Sequence, residues 1–217
     1  MNVLGIDGAL GSFSGALLGG VQARSVNLTG NAALERGLGA VADLLSGSGI
    51  DPSEIDRIGV GIGPGYFTGV RIAISYAKSL ALGWQLPLAG ISTFDAVEAG
   101  LRLEGRSVLN VVRGRPGVLS ARWRRGKNVR RASGYTADVL AELHDVLSEP
   151  FALIGNGAED VIAALGERAN NVEILTRAIE PAALAVATLA ALREPATSLH
   201  EVRADYGELP PARVPKS

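Results

Sequence analysis

Between Ile55 and Gly83 the side-chain period changes from two to about 3.6 across a single proline. Ile58, Val60 and Ile62 alternate with Gly59 and Gly61, the pattern of a short buried strand with glycine where another backbone comes close. Gly63-Pro64-Gly65 ends that strand, because Pro64 lacks a ladder donor and the glycines permit positive φ. From Phe67 onward, Phe67, Val70, Ile74, Ala77 and Ala81 form one apolar stripe of a helix. Beside it Gly69, Ala73, Ala77 and Ala81 recur every four residues, a low ridge predicted to let another helix approach closely.

A strand, glycine turn and helix in succession invite a nucleotide-binding reading, and two motifs fail here. The first lysine of the helix, Lys78, lies too far along for a Walker A loop. The glycines at 61, 63, 65 and 69 do not match G-x-G-x-x-G, and no acidic residue follows at the ribose position. What remains is generic anion binding at a helix N-terminus, around Gly63 and Gly65, or a tight turn whose glycines serve packing alone. Residue chemistry favours the turn.

The chain has 217 residues, enough for one large domain or two small ones with a true core. Only 5% are aromatic against 47% apolar, so the core must be built from Ala, Val, Leu and Ile. There is no cysteine, which excludes disulfides, thiolate metal sites and cysteine nucleophiles. No basic leader or long apolar run marks the start, so a soluble, cytoplasmic protein is expected. A net charge of −1 excludes a globally basic nucleic-acid binder.

Taken in order, Val3–Ile6, Phe13–Leu18 and Val21–Val26 read as a three-stranded meander. Leu34, Leu38, Val41 and Leu45 mark a first helix, capped at Asn31 and stopped at Gly47. Asp51-Pro52-Ser53-Glu54 carries a cap, a proline and a capping-box partner, predicting a single helical turn. A short strand at Leu88–Ile91 and a helix from Thr93 to about Leu103 close the first half. After Glu104 the pattern starts over with a hairpin, a third strand near Val129 and strands alternating with helices. The organisation predicted is an α/β protein of two duplicated subdomains, 1–104 and 105–194, with a cleft between them. The proline-rich tail, 195–217, is expected to run along a surface or stay unstructured.

Catalytic chemistry is sparse. His144 and His200 are 56 positions apart and do not form a metal pair. Asp7-Gly8 after the first strand can be read equally as holder of a metal–phosphate complex or as an ordinary turn. No serine, threonine or lysine has a visible base partner.

The run VGIGPGYFTGVRIAISYAKSLALG (60–83) resembles the signature of the TsaB (YeaZ) family, Gly-Pro-Gly-Ser-Phe-Thr-Gly-Leu-Arg-Ile-Gly followed by Ala-Lys-Gly-Leu-Ala. VLGID at the start, DPSEIDRIGVG, PLAGISTFDAVEA and LIGNGAEDV fit the same family in order, out to about residue 165. The resemblance implies an actin-like ATPase (sugar kinase/Hsp70-type) fold whose second subdomain is degenerate. It implies a non-catalytic subunit of the tRNA threonylcarbamoyladenosine machinery that binds a TsaD-type catalytic paralogue. It also implies no tightly bound cofactor in this chain, with ATP and metal on the partner subunits. A TsaE-type ATPase is a further candidate partner, and self-association a candidate state of the chain alone. The family's interface helices map to about 31–46 and 67–82, which nominates Leu34, Leu38, Val41, Leu45, Phe67, Gly69, Val70, Ala73, Ile74, Ala77 and Ala81 as interface residues. The paralogue's His-x-x-x-His metal pair has no counterpart here, which also speaks against a peptidase.

Several positions depart from the family pattern. Asp-Thr-Ser after the first strand is Asp7-Gly8-Ala9, so phosphate-contacting hydroxyls are lost; His-Ser-Glu is Thr29-Gly30-Asn31; the signature serine is Tyr66; and Asp-Ala-Arg survives only as Val112-Arg113-Gly114-Arg115. The rival reading is an ATP-hydrolysing or phosphotransfer enzyme of the same fold. It would use a vestigial phosphate site at Asp7, Gly8, Gly63 and Gly65, with the Gly155–Gly157 turn at the nucleotide.

Charge is unevenly spread. Residues 113–131 hold eight of the 21 basic residues and no acidic one, leaving 13 basic against 22 acidic elsewhere. Strand alternation puts Arg122 and Arg124 on one face, with Trp123 and Arg125 on the other. Arg122, Arg124 and Arg130 are candidate tRNA phosphate contacts. The competing expectation, slightly favoured, is a solvated hairpin whose charges protect an edge strand.

Overall fold

A computed structural model describes residues 1–19, 23–30, 32–175 and 182–207. The first sheet holds β1 (Val3–Asp7), β2 (Phe13–Leu18) and β3 (Arg24–Leu28) as an antiparallel meander. β4 (Arg57–Gly61) and β5 (Leu88–Ile91) join it parallel to β1, giving the order β3-β2-β1-β4-β5. The second sheet repeats the plan with β6 (Ser107–Arg113), β7 (Val118–Arg125), β8 (Asn128–Tyr135), β9 (Phe151–Ile154) and β10 (Val172–Ile174) in the order β8-β7-β6-β9-β10. The helices are α1 (Gly37–Ser48), α2 (Phe67–Trp84), α3 (Thr93–Glu98), α4 (Thr136–Glu142), α5 (Ala158–Leu165) and α6 (Ala182–Leu192).

Strand alternation decides which helix covers which face. Leu4 and Ile6 of β1 meet α1 and α2 through Val41, Leu45, Val70, Ala73 and Ala77, forming one apolar core. Leu109, Val111, Leu119 and Trp123 of the second sheet meet α4 and α5 in the corresponding place. The opposite faces are covered by exchange. α6, which follows the second half in sequence, lies on β1, β2 and β4 of the first sheet. α3, which follows the first half, lies on β6 of the second, and the two exchanged helices touch each other.

This exchange corrects the boundaries read from sequence. Each half, 1–104 and 105–194, gives its last helix to the other's sheet. The reason is steric. A Cβ on Gly5 would sit 2.1 Å from the Ala183 carbonyl oxygen, and one on Gly59 would sit 2.5 Å from the Ala190 methyl. Glycine on the sheet and alanine on the helix bring α6 closer than larger residues allow, with Val186, Ala187 and Ala190 fully buried.

Local corrections have local causes. The first helix starts at Gly37, not at Asn31, and Asn31 lies outside the described residues. Gly37 packs against the Phe13 ring, while the preceding residues make turn bonds such as Arg36 N–H to the Ala32 carbonyl at 3.1 Å. The helix runs through Gly47 to a left-handed cap at Gly49 (φ 72°). The third strand is Arg24–Leu28 rather than 21–26, and Val21 lies outside the described residues. The predicted capping box is present, with Ser53 N–H donating to Asp51 Oδ1 at 2.9 Å and Asp51 N–H to Glu54 Oε2 at 2.8 Å. α3 stops at Glu98, short of Leu103, and Gly100 follows at φ 74°.

The tail packs along the first sheet as far as it is described, and residues 208–217 lie outside the described residues. Ala196 N–H donates to the Leu88 carbonyl along the outer edge of β5, and Asp205 N–H donates to the Ile62 carbonyl at 2.7 Å. Val202 between them is buried in the first core.

Candidate functional site

The loop after β1, the turn after β4 and the start of α2 meet at the first sheet's end of a cleft of about 850 Å³. Leu34, Tyr66 and Phe67 form one wall; Arg115, Pro116 and Val118 of the second subdomain form the other; Tyr206 stands at the mouth. The lining is mainly apolar.

Asp7 ends β1 and is buried, with Ala9 N–H donating to both of its carboxylate oxygens at 3.2 Å. Burial pushes its pKa up to about 6, against the partial relief of the Ala9 and Gly8 N–H groups. Among the described residues no three His, Asp or Glu side chains gather as a metal-binding group. Gly8 abuts Gly69, where a Cβ would lie 2.0 Å from the Gly8 carbonyl oxygen. Gly69 therefore accommodates the β1 loop, and Asp7-Gly8 is packed against the first turn of α2.

The other glycines nominated for phosphate binding have neighbours of their own. Tyr66 N–H, at the head of α2, donates to the Ala9 carbonyl at 2.8 Å, and the Gly63 carbonyl accepts from Thr93 N–H at 2.8 Å. A Cβ on Gly65 would meet the Ala9 carbonyl oxygen at 2.2 Å. The Gly155–Gly157 turn folds onto β6. A Cβ on Gly155 would meet the Val111 carbonyl oxygen at 2.0 Å, and Asn156 Oδ1 accepts the Arg113 N–H at 2.8 Å. Arg113 donates to Asp160 at 2.8 Å, and that carboxylate holds the Arg113 proton more firmly than usual. These contacts support the packing role for the glycines.

The nominated interface residues divide sharply. Val41, Leu45, Gly69, Val70, Ala73, Ile74, Ala77 and Ala81 are buried in the chain's own core. The low ridge of α2 is therefore the face that seats on β1 and β4, and it is corrected from helix-docking ridge to core. The small residues are explained by the sheet beneath, which lies too close for larger side chains. Leu34 is half-buried, and of the nominated set only Leu38 (41% exposed) and Phe67 (54%) face outward. The exposed side of α2 ends at Leu82, 72% exposed, which sequence reasoning missed because it falls off the apolar stripe. Between α1 and the end of α2 a groove of about 480 Å³ is walled by Leu38, Ile50, Leu80 and Trp84.

The basic hairpin is also corrected. Arg122 pairs with Asp95 at 2.6 Å and Glu98 at 2.8 Å, its guanidinium 5.1 Å from the Phe94 ring centre. Arg124 pairs with Glu98 at 2.7 Å. Arg130 donates to both oxygens of Asp145, at 2.7 and 2.6 Å. The three nominated phosphate contacts are thus committed to carboxylates of their own chain. Burial raises the Asp95 pKa, but Arg122 and Arg193 outweigh it and hold the carboxyl below its usual range. The face assignment from alternation is right, since Trp123 is buried on the opposite side and donates to Ser107 Oγ at 2.8 Å. What sequence reasoning missed is the acid partner, Asp95 and Glu98, one helical turn apart on α3.

Two sheets of one topology, exchanging their last helices around a cleft, define an α/β protein of the actin-like ATPase fold. YeaZ from Pseudomonas aeruginosa shares this fold, with a TM-score of 0.68 at 23% identity over 94% of this chain and 99% of that one. A protein of actin-like ATPase fold and unknown function from Bacteroides thetaiotaomicron aligns at a TM-score of 0.50 with 10% identity, over 86% and 95% of the two chains. The family described as TsaD, tRNA N6-adenosine threonylcarbamoyltransferase, matches residues 27–201, and the chain belongs to it. Within it the chain is of the TsaB (YeaZ) kind. It is 40% identical over 101 residues to the tRNA threonylcarbamoyladenosine biosynthesis protein TsaB of Escherichia coli strain K12. That match covers 46% of this chain and 44% of the relative's length. Among the described residues no helix is long and apolar enough to cross a membrane.

Proposed function

We propose that this chain is a non-catalytic subunit of the machinery that forms N6-threonylcarbamoyladenosine in tRNAs reading codons that begin with A. Its task is to dock and support a TsaD-type catalytic paralogue, with ATP and metal handled by the partner subunits. The observation that carries this reading is a set of exposed apolar side chains on α1 and α2: Leu38, in the groove also walled by Ile50, Leu80 and Trp84, and Phe67 and Leu82 at the two ends of α2. The naming of its relatives after threonylcarbamoyladenosine biosynthesis supports the same assignment. The loop after β1 agrees: Asp7, whose carboxylate accepts the Ala9 N–H, is followed by Gly8 and Ala9, neither of which carries a hydroxyl. The same surface is available to a second copy of the chain when the paralogue is absent.

The test is co-purification with the paralogue. Leu38→Asp/Leu82→Asp changes exposed side chains only, so unfolding should stay within about 0.5 kcal/mol of the parent. Loss of two apolar anchors should weaken binding at least about tenfold. Undiminished binding would sink the docking face. Independently, the purified chain is expected to turn over no ATP; turnover abolished by Asp7→Asn would favour the ATP-hydrolysing reading instead.

A further inference from the structure

The segment from Val202 to Gly207 crosses from one subdomain to the other at the mouth of the cleft. Its start is anchored in the first core by Val202, 4% exposed, against Gly90. Asp205 N–H then donates to the Ile62 carbonyl, next to the Gly63-Pro64-Gly65 turn. Beyond that point the contacts change subdomain. The Asp205 carboxylate lies 3.8 Å from Arg131 on β8, and Gly207 is held at φ 71° directly over Ser120 on β7. The closeness is such that a Cβ on Gly207 would lie 2.0 Å from Ser120 Oγ and 3.2 Å from Pro64 Cβ, so one residue touches both subdomains.

Between these anchors Tyr206 does not enter a core. Its ring lies 4.9 Å from that of Phe67, tilted by 33°, and it remains 43% exposed. Phe67 heads α2, is 54% exposed, and has Arg71 over its ring at 5.1 Å. The far side of the subdomain contact is held differently, by Arg122 and Arg124 on Asp95 and Glu98 and by Asn110 on the Phe94 carbonyl. The two sides are therefore fastened by different means. Away from the mouth the exchanged helices α3 and α6 touch and a half-buried ionic layer ties α3 to β7; at the mouth a single thread of chain is held by the Asp205 backbone bond to Ile62, the packing of Gly207 on Ser120, one weak ion pair and one exposed ring contact.

We infer that residues Val202–Gly207 form a releasable strap that sets the width of the cleft, and that its release is coupled to occupation of Phe67. The tether at the mouth gives way first, because a 3.8 Å pair with partners 58% and 34% exposed contributes little in water. A protein surface that takes the outer face of Phe67 competes with Tyr206 for the same ring. Removing Tyr206 frees Asp205 and Gly207, and the mouth widens. By linkage, whatever widens the mouth also favours occupation of Phe67. The strap stands on the geometry alone; the coupling rests on the docking function proposed above.

The chain lacks cysteine, so two labels can be placed cleanly. Spin labels at Asp43→Cys on α1 and Ala137→Cys on α4, both exposed positions, report the distance between subdomains by pulsed electron resonance. The parent is expected to give a narrow distribution. Tyr206→Ala and Asp205→Ala/Tyr206→Ala should broaden it and move its mean to longer distance. Tyr206 is exposed enough that the single variant keeps its fold, checked by an unchanged melting transition of the first core. A distribution identical to the parent's in both variants overturns the strap. Addition of the purified paralogue to the parent should produce the same displacement as Tyr206→Ala. Binding of the paralogue without that displacement overturns the coupling. Variants that widen the mouth while the paralogue fails to bind uphold the strap and count against the docking function instead.

Discussion

The two sheets share one strand order, yet their central strands meet the exchanged helices by opposite means. β1 presents Gly5 to α6, and the helix backbone settles on it beside alanines. β6 presents Asn110 to α3; its Nδ2 donates to the Phe94 carbonyl at 3.0 Å and to Glu98 at 3.1 Å, while Arg122 and Arg124 close the layer from β7. One contact is dry and depends on shape; the other is polar and depends on pairing. A topology therefore does not dictate the chemistry of its own closure, and the two halves respond differently to substitution.

The sharpest way to break this comparison is Gly5→Val. Any side chain there collides with the Ala183 carbonyl, and α6 must lift from the sheet. A loss of about 3 kcal/mol or more is expected, read by denaturant unfolding, and a variant as stable as the parent would contradict the close approach.

Asp7→Asn comes next and has the opposite sign. The folded pKa of about 6 lies above the 3.8 of the unfolded chain, so between those values the folded state binds more protons. Stability therefore falls as pH rises from about 4 to about 6, by up to roughly 2–3 kcal/mol for a two-unit shift. The asparagine variant should lack this slope and be more stable than the parent at pH 7, while matching it near pH 4. Parallel stability curves for the two proteins would show that Asp7 carries no desolvation cost.

Arg122→Met tests the polar closure. It leaves Glu98, 10% exposed, with Arg124 and Asn110 as its remaining partners, and about 2 kcal/mol of destabilisation is expected. The loss should vary little with salt, because the pair is largely shielded from solvent. Asn110→Ala is the smallest of the four. It removes the donor to the Phe94 carbonyl and should cost about 1 kcal/mol by thermal or chemical unfolding.

Several sequence expectations survive because they rest on local periodicity. The meander, the strand at Arg57–Gly61, the capping box and α2 follow from alternation, turn residues and the apolar stripe. The repeat of the whole pattern after Glu104 was legible for the same reason. The interface was not, because an apolar stripe says that a helix face is buried and not what buries it. Ala73 and Ala77 suit a helix partner and a sheet equally well, and the chain's own sheet takes them. Arg122 and Arg130 suit phosphate and carboxylate equally well, and nothing near them in sequence reveals Asp95 or Asp145.

By itself, then, the order of residues determined the strand and helix pattern, the duplicated plan and the family resemblance carried by residues 60–83. Each of those rests on neighbours within about one turn or one strand, where spacing translates directly into a shared face. Only the tertiary structure decided that α3 and α6 change places, that the small residues of α2 belong to the core, and that the tail returns to bring Tyr206 onto Phe67. Two of those outcomes, α6 on β1 and Tyr206 on Phe67, join residues more than a hundred positions apart. They depend on which buried faces compete for the same cover, a question settled by packing the whole chain at once.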